Sequence, residues 1–95
     1  MAGYWIIKGT IIDQGAFDEY ARLWAPIATR YQAEFLVPGA RHETREGKDY
    51  ARVAVVRFPS YEDAIACYDD PEYQATLEWA DKAYDRELVI VDGND

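Results

Sequence analysis

The chain has 95 residues, 49% of them apolar and 15% aromatic, with a formal net charge of −8. That size fits one domain spanning residues 1–95, and the composition excludes a disordered chain. The acidity, uninterrupted by any Lys/Arg cluster, excludes a nucleic-acid partner and an anionic membrane surface.

In chain order, "YWIIKGTII" (Tyr4–Ile12) is rich in β-branched and aromatic residues and predicts a strand ended by the turn "DQG". From Ala16 the period changes. Phe17, Tyr20, Trp24, Ile27, Ala28 and Tyr31 recur at three- and four-residue steps, the mark of one helix stripe. Pro26 lies inside it, so a kink is expected, with a widened gap beside Trp24 as the sharper alternative.

Glu34–Val37 reads as a second strand, Pro38-Gly39 as a bend or bulge, and Arg41–Arg45 as a polar edge continuation. "ARVAVVRF" (Ala51–Phe58) and "RELVIVDG" (Arg86–Gly93) are the third and fourth strands. Between them "FPSYEDAIACYDDPEYQ" carries two helix starts. Ser60 is placed to cap a short helix showing Tyr61, Ala64, Ile65 and Tyr68, with Asp63 where a capping-box acid belongs. "DDP" ends it, and Asp70 with Pro71 starts a second piece whose stripe is Tyr73, Leu77, Ala80 and Tyr84. The order β-α-β-β-α-β predicts an α+β, ferredoxin-like antiparallel sheet, with the first and third strands central and the helices on one face.

Three strands are apolar on both sides. The pairs are Tyr4/Ile6 against Trp5/Ile7, Ala54/Val56 against Val53/Val55, and Leu88/Ile90 against Val89/Val91. Helices on one face cannot cover both. An uncovered patch of several hundred Å2 is worth many kcal/mol at ~25 cal/mol per Å2, so a homodimer packed sheet to sheet is expected.

"FDEY", the helix proline, "FLVPG", "VVRFPSYEDAIACYDDPEYQ" and the final "LVIVDG" together resemble the domain-of-unknown-function family numbered 1330. The most specific piece is Phe58, Pro59, Ser60, Glu62, Ala64, Tyr68, Pro71, Glu72, Tyr73 and Gln74. The resemblance implies a dimeric α/β barrel and supplies no catalytic residues. The chain departs from the family pattern in three places. Gln32-Ala33 replaces a Gly-Gly pair, Pro38-Gly39-Ala40 replaces Arg-Gly-Gly, and Cys67 replaces an aromatic residue.

His42, the sole histidine, is the natural general acid/base candidate, and Arg57 in an apolar strand is the candidate anchor for an acidic substrate. Against these stand an exposed edge histidine and an arginine satisfied by an ion pair. Trp24, Tyr31 and Tyr68 are the candidate pocket-lining residues. No metal site or cofactor is expected: His42 and Cys67 each stand alone, and Cys67 on its helix reads as a small buried hydrophobe.

The first residues show no basic leader and no stretch reaches ~20 apolar residues, so a soluble cytoplasmic protein is expected. Two functions stay open. One is a cofactor-independent enzyme, monooxygenase- or isomerase-like, acting on a small aromatic or acidic metabolite. The other is a non-catalytic dimer binding a small molecule or a protein.

Overall fold

The computed structural model describes residues 1–39 and 41–95. Strand β1 (Gly3–Ile11) leads to helix α1 (Gln14–Arg30), strands β2 (Glu34–Pro38) and β3 (Arg52–Phe58), helices α2 (Tyr61–Asp69) and α3 (Pro71–Ala83), and strand β4 (Tyr84–Asp92). The strands form one sheet in the order β2-β3-β1-β4, every neighbouring pair antiparallel. This is the ferredoxin-like arrangement that the element order predicts.

Local chemistry sets the boundaries. Asp13 caps α1, its side chain accepting from the Ala16 N–H at 3.0 Å, so "DQG" is a cap and first turn rather than a separate turn. Ser60 caps α2 by accepting from the Asp63 N–H at 3.0 Å. Asp70 caps α3 by accepting from the Glu72 N–H at 2.8 Å, with Pro71 in the first helical turn. The two helix starts in the opening of this stretch are therefore real caps, and the helical layer breaks between them.

At its far end α1 closes in a Schellman motif. The N–H of Gln32 donates to Thr29 O at 3.1 Å and that of Ala33 to Ala28 O at 2.9 Å. Gln32 adopts φ +56°, the left-handed conformation that the family's glycine suits.

Strand alternation sorts the side chains. Trp5, Val56 and Phe58 face the helices and are buried with Trp24, Ile27, Ala64, Cys67 and Tyr73 in one core. Trp5 is its centre: its ring lies 5.1–5.9 Å from those of Phe58, Tyr73, Trp24 and Tyr68, and its Nε1 donates to Ala64 O at 3.0 Å. On the opposite face, pairing aligns Val37, Val55, Ile6 and Val89 in one row across all four strands. Val89 keeps 59% of its surface exposed.

Several expectations are corrected. Residues 41–45 lie outside any strand, so β2 ends at Pro38 and His42 sits in the following loop; a Pro-Gly bend carries the chain away from the edge of β3. The bulge lies between Phe35 and Val37, one turn of the pleat earlier than Pro38-Gly39. In α2 the buried residues are Ala64 and Cys67, whereas Tyr61 is exposed. Tyr84 belongs to β4, which follows α3 without a loop, and the buried stripe of α3 is Tyr73, Thr76, Ala80 and Ala83. Ala40, one of the departures from the family pattern, falls outside the described residues.

Candidate functional site

A cavity of about 440 Å3 opens between α1 and the helix-facing side of the sheet. Its floor comes from three rows of the sheet: Arg52 and Arg86 from the row they share with Gly9, Ala54 and Ile7 from the next, and Phe35, Val56 and Trp5 from the third. Helix α1 forms the roof with Phe17, Tyr20, Ala21, Trp24, Ala25 and Thr29. These roof residues flank Pro26, through which the helix runs on to Arg30.

The two ends differ in chemistry. At one end Trp24 packs edge-on against Phe35, ring centroids 5.2 Å apart. Trp24 is 6% exposed, and its Nε1 is the one buried side-chain polar atom among the described residues without a hydrogen-bond partner. Such a donor costs about 1–3 kcal/mol when unmet. At the other end the Arg86 guanidinium lies over the rings of Tyr20 and Tyr84, at 5.3 and 5.1 Å from their centroids. It donates to the Tyr20 hydroxyl at 3.4 Å and the Tyr73 hydroxyl at 3.2 Å. Arg52 stacks over Phe17 at 5.3 Å and donates to Pro38 O at 3.4 Å.

Neither arginine forms an ion pair among the described residues, and no Asp or Glu lines the cavity. Asp81 lines a neighbouring cavity on the α3 side, which Arg86 and Tyr84 also reach. Burial works against the Arg86 charge, but the facing Tyr20 and Tyr73 hydroxyls hold its proton on. Burial, with Tyr73 alongside, pushes the Tyr20 phenol well above its usual range, so it stays neutral and able to donate.

The Tyr20 and Tyr73 hydroxyls lie 2.8 Å apart, and Tyr73 is wholly buried. Either hydroxyl can be the donor of that bond, and Arg86 supplies donors to both oxygens.

Of the residues singled out in the sequence, Trp24 lines this cavity and the others lie elsewhere. Tyr31 donates to Asp70 Oδ2 at 2.7 Å on the seam between α1 and α3. Tyr68 lines the α3-side cavity. His42 is exposed in its loop, where Nε2 donates to Tyr50 O at 3.0 Å. Arg57 is on the open sheet face, 3.6 Å from Asp95, which also accepts from the Tyr4 hydroxyl at 2.5 Å.

Sequence reasoning passed over Arg52, Arg86 and Tyr20. Strand parity carried the signal: Arg52 shares the face of Ala54 and Val56, and Arg86 that of Leu88 and Ile90, whereas Arg57 has the opposite parity.

Among the described residues no three His, Cys, Asp or Glu are grouped to hold a metal ion, and no helix is long and apolar enough to cross a membrane. No protein of curated function matches the sequence.

Solved structures do match. A protein of unknown function from Rhodopseudomonas palustris is similar at 15% identity and a TM-score of 0.76, over 99% of this chain and 83% of that one. A dimeric ferredoxin-like protein of unknown function from Jannaschia sp. aligns at 14% identity and 0.68, over 98% and 100%. A variant of SnoaB, a cofactor-independent oxygenase from Streptomyces nogalater, aligns at 14% and 0.57, over 99% and 94%. At such identities these likenesses show the fold alone. The family model for a domain of unknown function, DUF1330, matches residues 2–94, and the chain belongs to that family.

Proposed function

We propose that the chain is a cytoplasmic homodimer that captures a small, flat aromatic molecule in the cavity beneath α1. The observation that carries this reading is the cavity itself: about 440 Å3, walled by Trp5, Phe17, Trp24, Phe35 and Tyr84. That volume and a wall of aromatics with a few polar groups are the usual make-up of a small-molecule site. The dimeric, ferredoxin-like relative and the apolar row Val37–Val55–Ile6–Val89 support pairing through the open sheet face.

The donor set also supports a catalytic version of this reading. Arg86 and Tyr20 are fixed donors in a sheltered site, suited to stabilising negative charge that develops on a ring oxygen. Cofactor-free oxygenation or isomerisation of an aromatic substrate passes through such an anion, and the fold likeness to a cofactor-independent oxygenase is compatible with it. His42 and Arg57 take no part in capture in this proposal. Their side chains are engaged with Tyr50 and Asp95.

A thermal-shift screen of flat aromatic compounds, neutral and anionic, tests it. A ligand at a hundred times its Kd adds about 2.7 kcal/mol, a rise of several degrees in Tm. Ala54→Leu, which fills the middle of the cavity floor, is expected to abolish the shift, and His42→Ala to leave it intact. Shifts that survive Ala54→Leu and vanish with His42→Ala would place the site elsewhere.

A further inference from the structure

Gly9 lies between Arg52 and Arg86 in one row of the sheet, on the face that lines the cavity. Two strand spacings separate the α-carbons of the arginines by roughly 10 Å. Gly9 has no side chain, and the Tyr84 ring and the Arg86 stem close over its backbone: a Cβ there would come within 2.9 Å of the Arg86 Cβ and 3.2 Å of the Tyr84 ring. The row thus places one arginine on either side of Gly9, and both arginines line the cavity.

Resting on the cavity reading above, we propose that the cavity is a site for aromatic carboxylates. The anionic group sits at the Arg52 and Arg86 end of the cavity and the ring lies over Ala54 and Ile7 toward Trp24 and Phe35. Four observations converge on it. The polar groups lining that end include two guanidiniums, whose N–H groups can only donate, and the Tyr20 hydroxyl. Among the described residues no carboxylate lies within ion-pair distance of either arginine, although the sequence has 18 Asp and Glu. Both guanidiniums already pack against rings, Arg52 over Phe17 and Arg86 over Tyr20 and Tyr84. Less side-chain entropy is then left to lose when an anion arrives. The cavity also turns apolar with distance from the two arginines, through Ala54 and Ile7 to the aromatic end. A ligand charged along its length or at both ends does not suit this gradient. One anionic group on a flat ring does.

The test pairs 2-naphthoate with its neutral isostere 2-naphthamide, and benzoate with benzamide, each titrated calorimetrically into the intact protein. The carboxylate of each pair is expected to bind at least roughly tenfold more tightly than its amide, the scale of charge-assisted hydrogen bonds to guanidinium. Arg52→Gln is expected to erase most of that preference while leaving amide binding within about twofold. Arg86 is more deeply packed, so Arg86→Lys is used there: it keeps the charge but loses the forked geometry, and part of the preference is expected to go. Circular dichroism confirms that each variant folds.

Equal binding of acid and amide would overturn the carboxylate assignment and leave the aromatic cavity standing. Preferential acid binding untouched by Arg52→Gln and Arg86→Lys would also overturn it. Failure of all four compounds to bind would overturn both readings.

Discussion

Gln32 shows how one residue can carry a cost that the fold absorbs. It occupies the position after the cap of α1, at φ +56°, with both bonds of the Schellman motif in place. A side chain in the left-handed region costs about 1–2 kcal/mol, which glycine avoids. Gln32→Gly is therefore expected to raise stability by about 1 kcal/mol, and Tm by about 4–8 °C for a domain of this size, even after the unfolded chain's added freedom is counted. Differential scanning calorimetry checks it; a fall in Tm would mean that the glutamine side chain holds the turn by other means. Cys67 carries a different burden. It is wholly enclosed, and burial pushes its thiol up to about 12. A neutral, inaccessible thiol is a packing residue, as its place on the helix predicts.

At the level of elements, the caps tie stability to pH. Asp70 accepts from the Tyr31 hydroxyl, from the Glu72 N–H and from Arg30, and these hold its carboxyl below the usual carboxylate range. Its contribution is thus fully present above the unfolded value of 3.8 and is lost as pH falls through the lower folded value. Asp70→Asn keeps a capping oxygen but cannot titrate. The Tm difference between wild type and Asp70→Asn is expected to narrow as pH drops from about 5 to about 2. Asp95 and Glu19 titrate in the same acid range but are common to both proteins. A difference that stays constant with pH would show that the carboxylate's charge adds nothing.

The same elements show what could be read in advance. The caps at Ser60 and Asp70 and the two-sided strands are local patterns, so they were legible from single residues and their spacing. The edge was not. Arg41–Arg45 reads as a polar edge continuation of β2, yet Gly39 at φ +88° turns the chain away, at a point where a Cβ would come within 2.8 Å of the Arg52 guanidinium. The site was half legible. Trp24 stood out because of Pro26, but the polar end depends on Arg52 and Arg86 reaching one face from two separate strands. No single segment contains that registry.

At the scale of the molecule, the two faces of the sheet have different tasks. Cα extents of 31 × 31 × 17 Å describe a slab one helical layer and one sheet thick. The helix side holds the core and the cavity. The other side presents the row Val37–Val55–Ile6–Val89, bordered by Lys8 paired with Glu87 and by Arg57 paired with Asp95. An apolar row with charged borders suits the sheet-to-sheet pairing proposed above, and a net charge of −8 on the chain discourages less specific association. The same acidity bears on the ligand. Anions are repelled by most of the exterior, so an acid retained by this protein must be held by a local, donor-lined site.

The most direct test of that division is the indole N–H region of a 15N NMR spectrum during titration with 2-naphthoate. The three tryptophans report separately. Trp5 Nε1 is already bonded to Ala64, the Trp24 side chain lines the cavity with its Nε1 buried and unpartnered, and Trp79 lies on α3 beside Lys82. The Trp24 resonance is expected to move most and to saturate with the ligand, while that of Trp79 stays in place. Saturable binding that moves Trp79 and leaves Trp24 unchanged would contradict the account.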